Sequence, residues 1–222
     1  HQDLSGCRGA YSRDLGMLPV EPEVTDVIEK ALPLLTDLGC HMEINHPNLA
    51  GGAEAFDTIR ALHFAREHAE ILKNHRDKLK DTVIWNIERG LALSSDQIIQ
   101  ADRLRATQFL NMQSFLEKFD VLILPVSQVL PFPVEKEWVN EINGVRMETY
   151  IDWMRSCSHI TMTSHPALSL PCGFTANGLP VGIQIVGRYR EEAFLLSFAA
   201  AWEEALNITT KRPAIAQAPS NT

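Results

Sequence analysis

The sequence predicts an α/β fold, a mixed sheet flanked by helices, and three observations carry that expectation. The first is the stretch His165 to Gly187, which reads as two strands, Ala167–Pro171 and Val181–Gly187, joined by a turn at Asn177-Gly178. In the second strand Val181, Ile183 and Ile185 share one face, and Gly182, Gln184 and Val186 share the other. In the first strand Leu168 and Leu170 oppose Ala167 and Ser169, so each strand has an apolar face for a core. Its small or polar face permits close approach by a helix, another backbone or a ligand. The second observation is Val121-Leu122-Ile123-Leu124, a continuous apolar run stopped by Pro125, the pattern of a strand buried on both faces. The third is a set of apolar stripes at helical spacing between these strands.

Taken in order, residues 7–11 form a weak strand candidate. Pro22 then opens a helix whose stripe is Val24, Val27, Ile28, Ala31, Leu35 and Leu38, with Gly39 at its C-terminal cap and Pro33 kinking or dividing it. His41–Ile44 follows as a short strand. Strand, helix, strand with these short links predicts a parallel βαβ unit. A long helix is expected from about Ala53 to Leu72, burying Phe56, Ile59, Leu62 or His63, and Leu72. Another is expected from Thr82 to Arg89, ended by Gly90. Ser94 and Gln97 have the capping-box form, ahead of a helix running to about Phe119 with Ile98, Ala101, Leu104, Phe109, Met112 and Phe115 among its apolar positions. Residues 126–141, with Pro131, Pro133, Phe132 and Trp138, form a long loop without periodicity, and such loops often carry function. Asn143-Gly144 marks a turn, Met147 to about Ser156 reads as a short helix, and Glu191–Leu206 is amphipathic through Phe194, Leu195, Phe198, Trp202 and Leu206. Residues 208–222 are polar with two prolines and read as a frayed tail.

Composition excludes several classes. With 222 residues, 45% hydrophobic and 22% charged, the chain is an ordinary globular one. A formal net charge of −8 opposes a nucleic-acid phosphate footprint. No apolar run approaches the ~18 residues of a membrane span, and no signal peptide precedes His1. Four cysteines, at 7, 40, 157 and 172, have neither CxxC nor zinc spacing, which fits reduced, cytoplasmic thiols. His63 and His68 lie about 140° apart around a helix and read as surface histidines rather than a metal pair. A start at histidine implies processing or part of a longer polypeptide.

Pro166-Ala167-Leu168-Ser169-Leu170-Pro171-Cys172-Gly173-Phe174 followed by Gly178-Leu179-Pro180-Val181-Gly182-Ile183-Gln184-Ile185-Val186-Gly187-Arg188 resembles the C-terminal signature region of the amidase signature family. These are serine hydrolases that include bacterial amidases and one of the subunits of the glutamyl-tRNA amidotransferases. The resemblance extends to Asp14-Leu15-Gly16, Leu18-Pro19-Val20 and Pro22-Glu23-Val24, and to Asn143-Gly144-Val145, Met147-Glu148-Thr149-Tyr150 and Asp152-Trp153-Met154. It implies that residues 1–222 are the C-terminal portion of the amidase signature fold, with the N-terminal catalytic half absent.

Amide hydrolysis by a serine enzyme requires an activated nucleophile, a base and donors for the tetrahedral oxyanion. The family's Ser–cis-Ser–Lys triad lies in a glycine- and serine-rich loop and an upstream lysine that have no counterpart here. Ser94-Ser95 lacks flanking glycines, and capping explains it. Ser164 and His165, taken as neighbours on an extended strand, would point to opposite faces. His159 with Ser156 or Ser158, and the Cys157–His159 pair, have no supporting motif. Cys172 reads as a packed thiol. No catalytic residue, metal ligand or cofactor is therefore assigned. The resemblance places loop 126–141 and segment 150–163 beside the substrate cleft, making Ser127, Asp152, Trp153, His159 and Thr161 the substrate-binding candidates. Asp152 has two readings, contact with a substrate amino group or a charge in the first turn of a helix. Where family members usually show proline, asparagine and glycine, this chain has His159, Thr161 and Ser164.

The implied function is hydrolysis of a carboxamide to acid and ammonia on a serine outside this chain. Two alternatives stand beside it: a non-catalytic or partner-dependent subunit, and a glutamine-dependent tRNA amidotransferase subunit that passes ammonia onward. The expected partners are a small-molecule amide and the missing N-terminal half, with no direct nucleic-acid or membrane contact and a possible homodimer.

Overall fold

The computed structural model describes residues 4–207, so the tail expected at 208–222 lies outside the described residues. Its main sheet has five strands in the order β2-β1-β3-β7-β6. Strand β1 (Arg8–Tyr11) pairs in parallel with both β2 (His41–Ile44) and β3 (Val121–Pro125). On its other side β3 runs antiparallel to β7 (Pro180–Gly187), which pairs antiparallel with β6 (Ala167–Phe174). The mixed α/β sheet is the predicted one, including the parallel β1–β2 pair. Every residue of β3 is buried, as its unbroken apolar run requires.

The chain divides into two compact units. Among the described residues the sheet unit comprises 4–46, 116–156 and 166–207, and the helical unit Pro47–Phe115 and Cys157–His165.

In the sheet unit, α1 (Pro22–Ala31) and α2 (Pro33–Asp37) are divided at Pro33, whose missing N–H cannot continue the first helix. Leu38 then leads to Gly39, which turns with φ +89° into β2. With α7 (Glu192–Leu206), these helices cover one face of the sheet. There Ile28, Leu35, Phe198 and Trp202 pack with Val121, Ile123, Ile183 and Ile185 in a single cluster. Each such side chain, fully buried, contributes about 1.5–3 kcal/mol from the apolar surface it removes from water. Trp202 also donates its indole N–H to the Pro171 carbonyl at 2.9 Å, where β6 bulges between Pro171 and Gly173. Leu168 and Leu170 pack at the margin of the same cluster, as their alternation predicts.

A small hairpin, β4 (Glu141–Ile142) and β5 (Val145–Arg146), turns at Asn143-Gly144 with φ of 50° and 78°, the positive pair that a tight hairpin turn favours. The helix expected over 147–156 is displaced. A 3-10 turn covers Asp152–Met154, and α6 (Arg155–Thr163) begins only at residue 155. Tyr150, Trp153 and Met154 therefore precede the α-helix instead of striping it.

The helical unit contains α3 (Gly52–His75), α4 (Asp81–Leu91) and most of α5 (Ser95–Leu116). Ser94 caps α5 reciprocally: the Gln97 N–H donates to Ser94 Oγ at 3.3 Å, and the Ser94 N–H donates to Gln97 Oε1 at 2.9 Å. Two expectations are corrected here. The fully buried positions of α3 are Gly52, Ala55, Thr58, Ala61 and Ala65, whereas Phe56, Ile59, Leu62 and Leu72 are only half-buried. Gly90 does not end α4 but lies inside it, because the Ala61 carbonyl occupies the space that a Cβ would need. Helices α3 and α4 pack backbone against backbone along small residues, which a search for large apolar stripes passes over.

Candidate functional site

The loop after β3 has no periodicity, yet it is held by a core of its own. Val129, Val139, Ile142 and Met147 are buried together, with Phe132, Trp138 and Trp153 packed around them. Polar anchors complete it. Gln128 is fully buried, its side-chain amide donating to the Pro19 carbonyl at 2.9 Å and its oxygen accepting the Ser156 N–H at 3.3 Å. Glu21 accepts the Leu130 N–H at 2.7 Å, and Asn143 donates to the Val20 carbonyl at 2.6 Å. Gln128, Glu21 and Asn143 thus fix the loop's backbone, a role that sequence reasoning missed because isolated amides and carboxylates leave no periodic signal.

Two predicted residues meet in this unit. Ser127 and Trp153 line one cavity of about 270 Å³, together with Phe132, Leu130, Val181 and Gly182. Trp153 stands edge-on to Phe132, ring centroids 5.4 Å apart. The small face of β7 serves a close approach: a Cβ on Gly182 would lie 2.9 Å from Val126 Cγ1 and 3.3 Å from the Leu170 carbonyl oxygen. Ser127 donates its hydroxyl to the Val129 carbonyl at 2.9 Å and accepts the Val129 N–H at 3.3 Å, a local serine turn. Such a hydroxyl shapes the cavity wall, and no base in these bonds activates it.

Asp152 accepts the Thr149 N–H at 2.7 Å, and the Thr149 hydroxyl oxygen accepts the Ile151 N–H at 3.3 Å. The other Asp152 oxygen takes two bonds from Arg155, 2.6 Å from Nη2 and 3.1 Å from Nε. The pair is mostly shielded, with 21% of the Asp152 side chain and 10% of that of Arg155 exposed. Both carboxylate oxygens of Asp152 are thus engaged within residues 149–155.

His159 and Thr161 belong to the helical unit. His159 is buried, and a Cβ on Gly52 would stand 2.8 Å from its Cδ2, so glycine at the start of α3 makes room for the imidazole. Thr161 is exposed and donates its hydroxyl to the Cys157 carbonyl at 3.0 Å. It lines a second cavity, of about 290 Å³, with Phe56, Arg60, His63 and Arg105.

One of the residues set aside as a nucleophile, Ser164, is placed differently from the expectation. Ser164 is not on a strand but follows α6 in the left-handed region at φ +57°, and its hydroxyl accepts from Arg105 Nη2 at 3.3 Å. His165 keeps its Nδ1 2.8 Å from the Thr163 carbonyl and stacks at a tilt on Phe109, and burial lowers its pKa. Burial pushes the Cys172 thiol up to about 12, far from thiolate chemistry near neutrality. A hydrogen bond with Cys40 and burial raise the Cys7 pKa, and both thiols are free. Among the described residues no group of three His, Cys, Asp or Glu side chains could hold a metal, and no helix is long and apolar enough to cross a membrane.

Comparison with known proteins places this architecture. An acylamidase of Rhodococcus erythropolis is 31% identical over 216 residues, covering 96% of this chain and 45% of the relative. A glutamyl-tRNA(Gln) amidotransferase subunit of Chromobacterium violaceum is 23% identical over 240 residues, covering 97% and 48%. The crystal structure of a bacterial aryl acylamidase of the amidase signature family superposes with a TM-score of 0.84 at 25% identity, over 96% of this chain and 47% of that one. The chain spans about half the length of the curated relatives it matches. The family described as Amidase matches residues 1–196, and the chain, with its mixed sheet and signature hairpin in place, belongs to that family.

Proposed function

We propose that the chain is the C-terminal half of an amidase that hydrolyses a carboxamide to a carboxylic acid and ammonia. In this reading a serine outside these residues attacks the amide carbon, and the collapsing tetrahedral intermediate expels ammonia. Water then releases the acid from the acyl-enzyme. The observation that carries the proposal is the pairing of a match along residues 1–196 with coverage of under half of the acylamidase relative. The signature hairpin is present, and the glycine- and serine-rich nucleophile loop is not among these residues.

The role left for this half is to shape the substrate's surroundings. We assign Ser127 and Trp153 to the wall of the cavity beside β7, and Thr161 to the wall of the cavity in the helical unit. Asp152 and His159, both engaged by their surroundings, position the backbone that carries these walls. No cofactor is invoked, because hydrolysis through an acyl-serine needs none.

The test is the intact mass of the native polypeptide containing these residues after treatment with a serine-reactive fluorophosphonate. A chain roughly twice this length carrying one adduct is expected of an activated serine. A native chain of this length without an adduct sinks the reading in favour of a non-catalytic or partner-dependent subunit. The similarity to the tRNA amidotransferase subunit supports a second reading, ammonia production from glutamine. Ammonia released from glutamine only when a tRNA-linked acceptor is present would select it, whereas release from simple amides alone selects the first.

A further inference from the structure

We propose that the cavity of the helical unit binds the carboxylate of a small organic acid whose body is aromatic or aliphatic. The cavity, about 290 Å³, falls just below the ~300–1,000 Å³ typical of ligand sites, a size for a small ligand. Helix α3 presents Phe56, Ile59, Arg60, His63 and Phe64 to it, the i, i+3, i+4, i+7, i+8 pattern of one helix face. Arg105 of α5, with Thr161 and Met162 of α6, completes the lining.

The chemistry of that lining is one-sided. Two guanidinium groups and an imidazole contribute to it, and no aspartate or glutamate does, in a chain whose net charge is −8. The two guanidinium groups repel one another, and an anion placed between them reverses that term. Both guanidinium groups are held in place. Arg60 lies over the Phe64 ring, 4.6 Å from its centroid, and Arg105 donates to Ser164 Oγ at 3.3 Å. A guanidinium that is already oriented loses less freedom on meeting a carboxylate. The remaining wall, Phe56, Ile59 and Met162, is apolar and suits a hydrocarbon body rather than a fully hydrated anion. The exposed Thr161 hydroxyl is already turned to its own helix, so the arginines and not the threonine supply the recognition.

The inference rests on the amidase reading only in calling this acid a substrate or product. Binding is measured on the chain itself, and fluorophosphonate labelling reads the hydrolase separately, so either fails alone. The experiment is calorimetric titration of the full chain with 4-phenylbutyrate, beside its neutral isostere 4-phenylbutyramide and inorganic phosphate. The carboxylate is expected to bind at least tenfold tighter than either. Arg60→Gln and Arg105→Gln should each weaken it about tenfold, and Arg66→Gln, whose exposed side chain pairs with Glu67, should leave it unchanged. If Arg60→Gln fails to fold, Arg105→Gln, at an exposed residue, still decides. Absence of binding at millimolar concentration, equal affinity for amide and carboxylate, equal affinity for phosphate, or parental affinity in Arg105→Gln would each overturn the proposal.

Discussion

The two units of the chain solve the packing problem with opposite materials. The sheet unit buries large side chains, Trp202, Phe198, Leu35 and Ile185, all at 1% exposure or less. The helical unit buries, along α3, glycine, alanine and threonine. In the first, specificity comes from volume: a face of alternating branched residues fits the helices above it in one register only. In the second it comes from nearness, since small residues let two helix backbones approach until any added atom collides. Mutational sensitivity should therefore have opposite signs, with loss of volume damaging one unit and gain of volume damaging the other.

The largest effect tests the first half of that contrast. Trp202→Ala removes the largest buried side chain and the donor to the Pro171 carbonyl, and should cost about 4 kcal/mol in urea unfolding. Next, Gly90→Ala should cost about 2–3 kcal/mol, because its methyl meets the Ala61 carbonyl and backbone must shift. Leu62→Ala on the same helical pair should cost about 1 kcal/mol, a half-buried side chain being lost. If Leu62→Ala proves worse than Gly90→Ala in amide-exchange protection of α3 and α4, the contrast breaks. A smaller effect, about 1 kcal/mol, is expected of Ser94→Ala, read as faster exchange in the first turn of α5.

The subtlest prediction concerns pH. His165 has its folded pKa lowered by burial, so near and below its ordinary value of 6.5 the unfolded chain binds more protons than the folded one. Its contribution is fully present above pH 6.5, is lost as pH falls through the folded pKa, and is then constant. Urea midpoints should decline as pH drops from 7.5 towards 5, and His165→Gln should flatten that decline. An unchanged slope in the variant would place the proton uptake elsewhere.

What can be read from the sequence follows the same division. The β7 alternation, the β3 run, the break at Pro33 and the Ser94–Gln97 cap are local patterns of residues with strong preferences, and each becomes the element expected. The small-residue seam is illegible because alanine and glycine leave no amphipathic signature. The pattern misplaces the helix over 147–156 because Tyr150, Trp153 and Met154 look like a stripe, whereas Trp153 serves the loop's own core. Ser164 escapes pattern reading because no rule of composition announces a serine at positive φ. Of the candidate site, the loop is visible in the sequence, but the sharing of one cavity by Ser127 and Trp153 depends on contacts distant along the chain.

The position of β3 bears on how the chain acquires its shape. This strand joins a parallel pair to an antiparallel one, and both of its partners, β1 and β7, lie far from it along the chain. The β6–β7 hairpin closes between Phe174 and Pro180 and can zip within ~1–10 μs. Gly9 must instead find Val121 across roughly a hundred residues, a non-local pairing of the kind that slows folding. During synthesis the first strand is therefore made long before the strand that completes it. Until then the nascent β1–β2 pair carries an open hydrogen-bonding edge beside the apolar faces of α1 and α2, the state in which this polypeptide most needs protection from its neighbours.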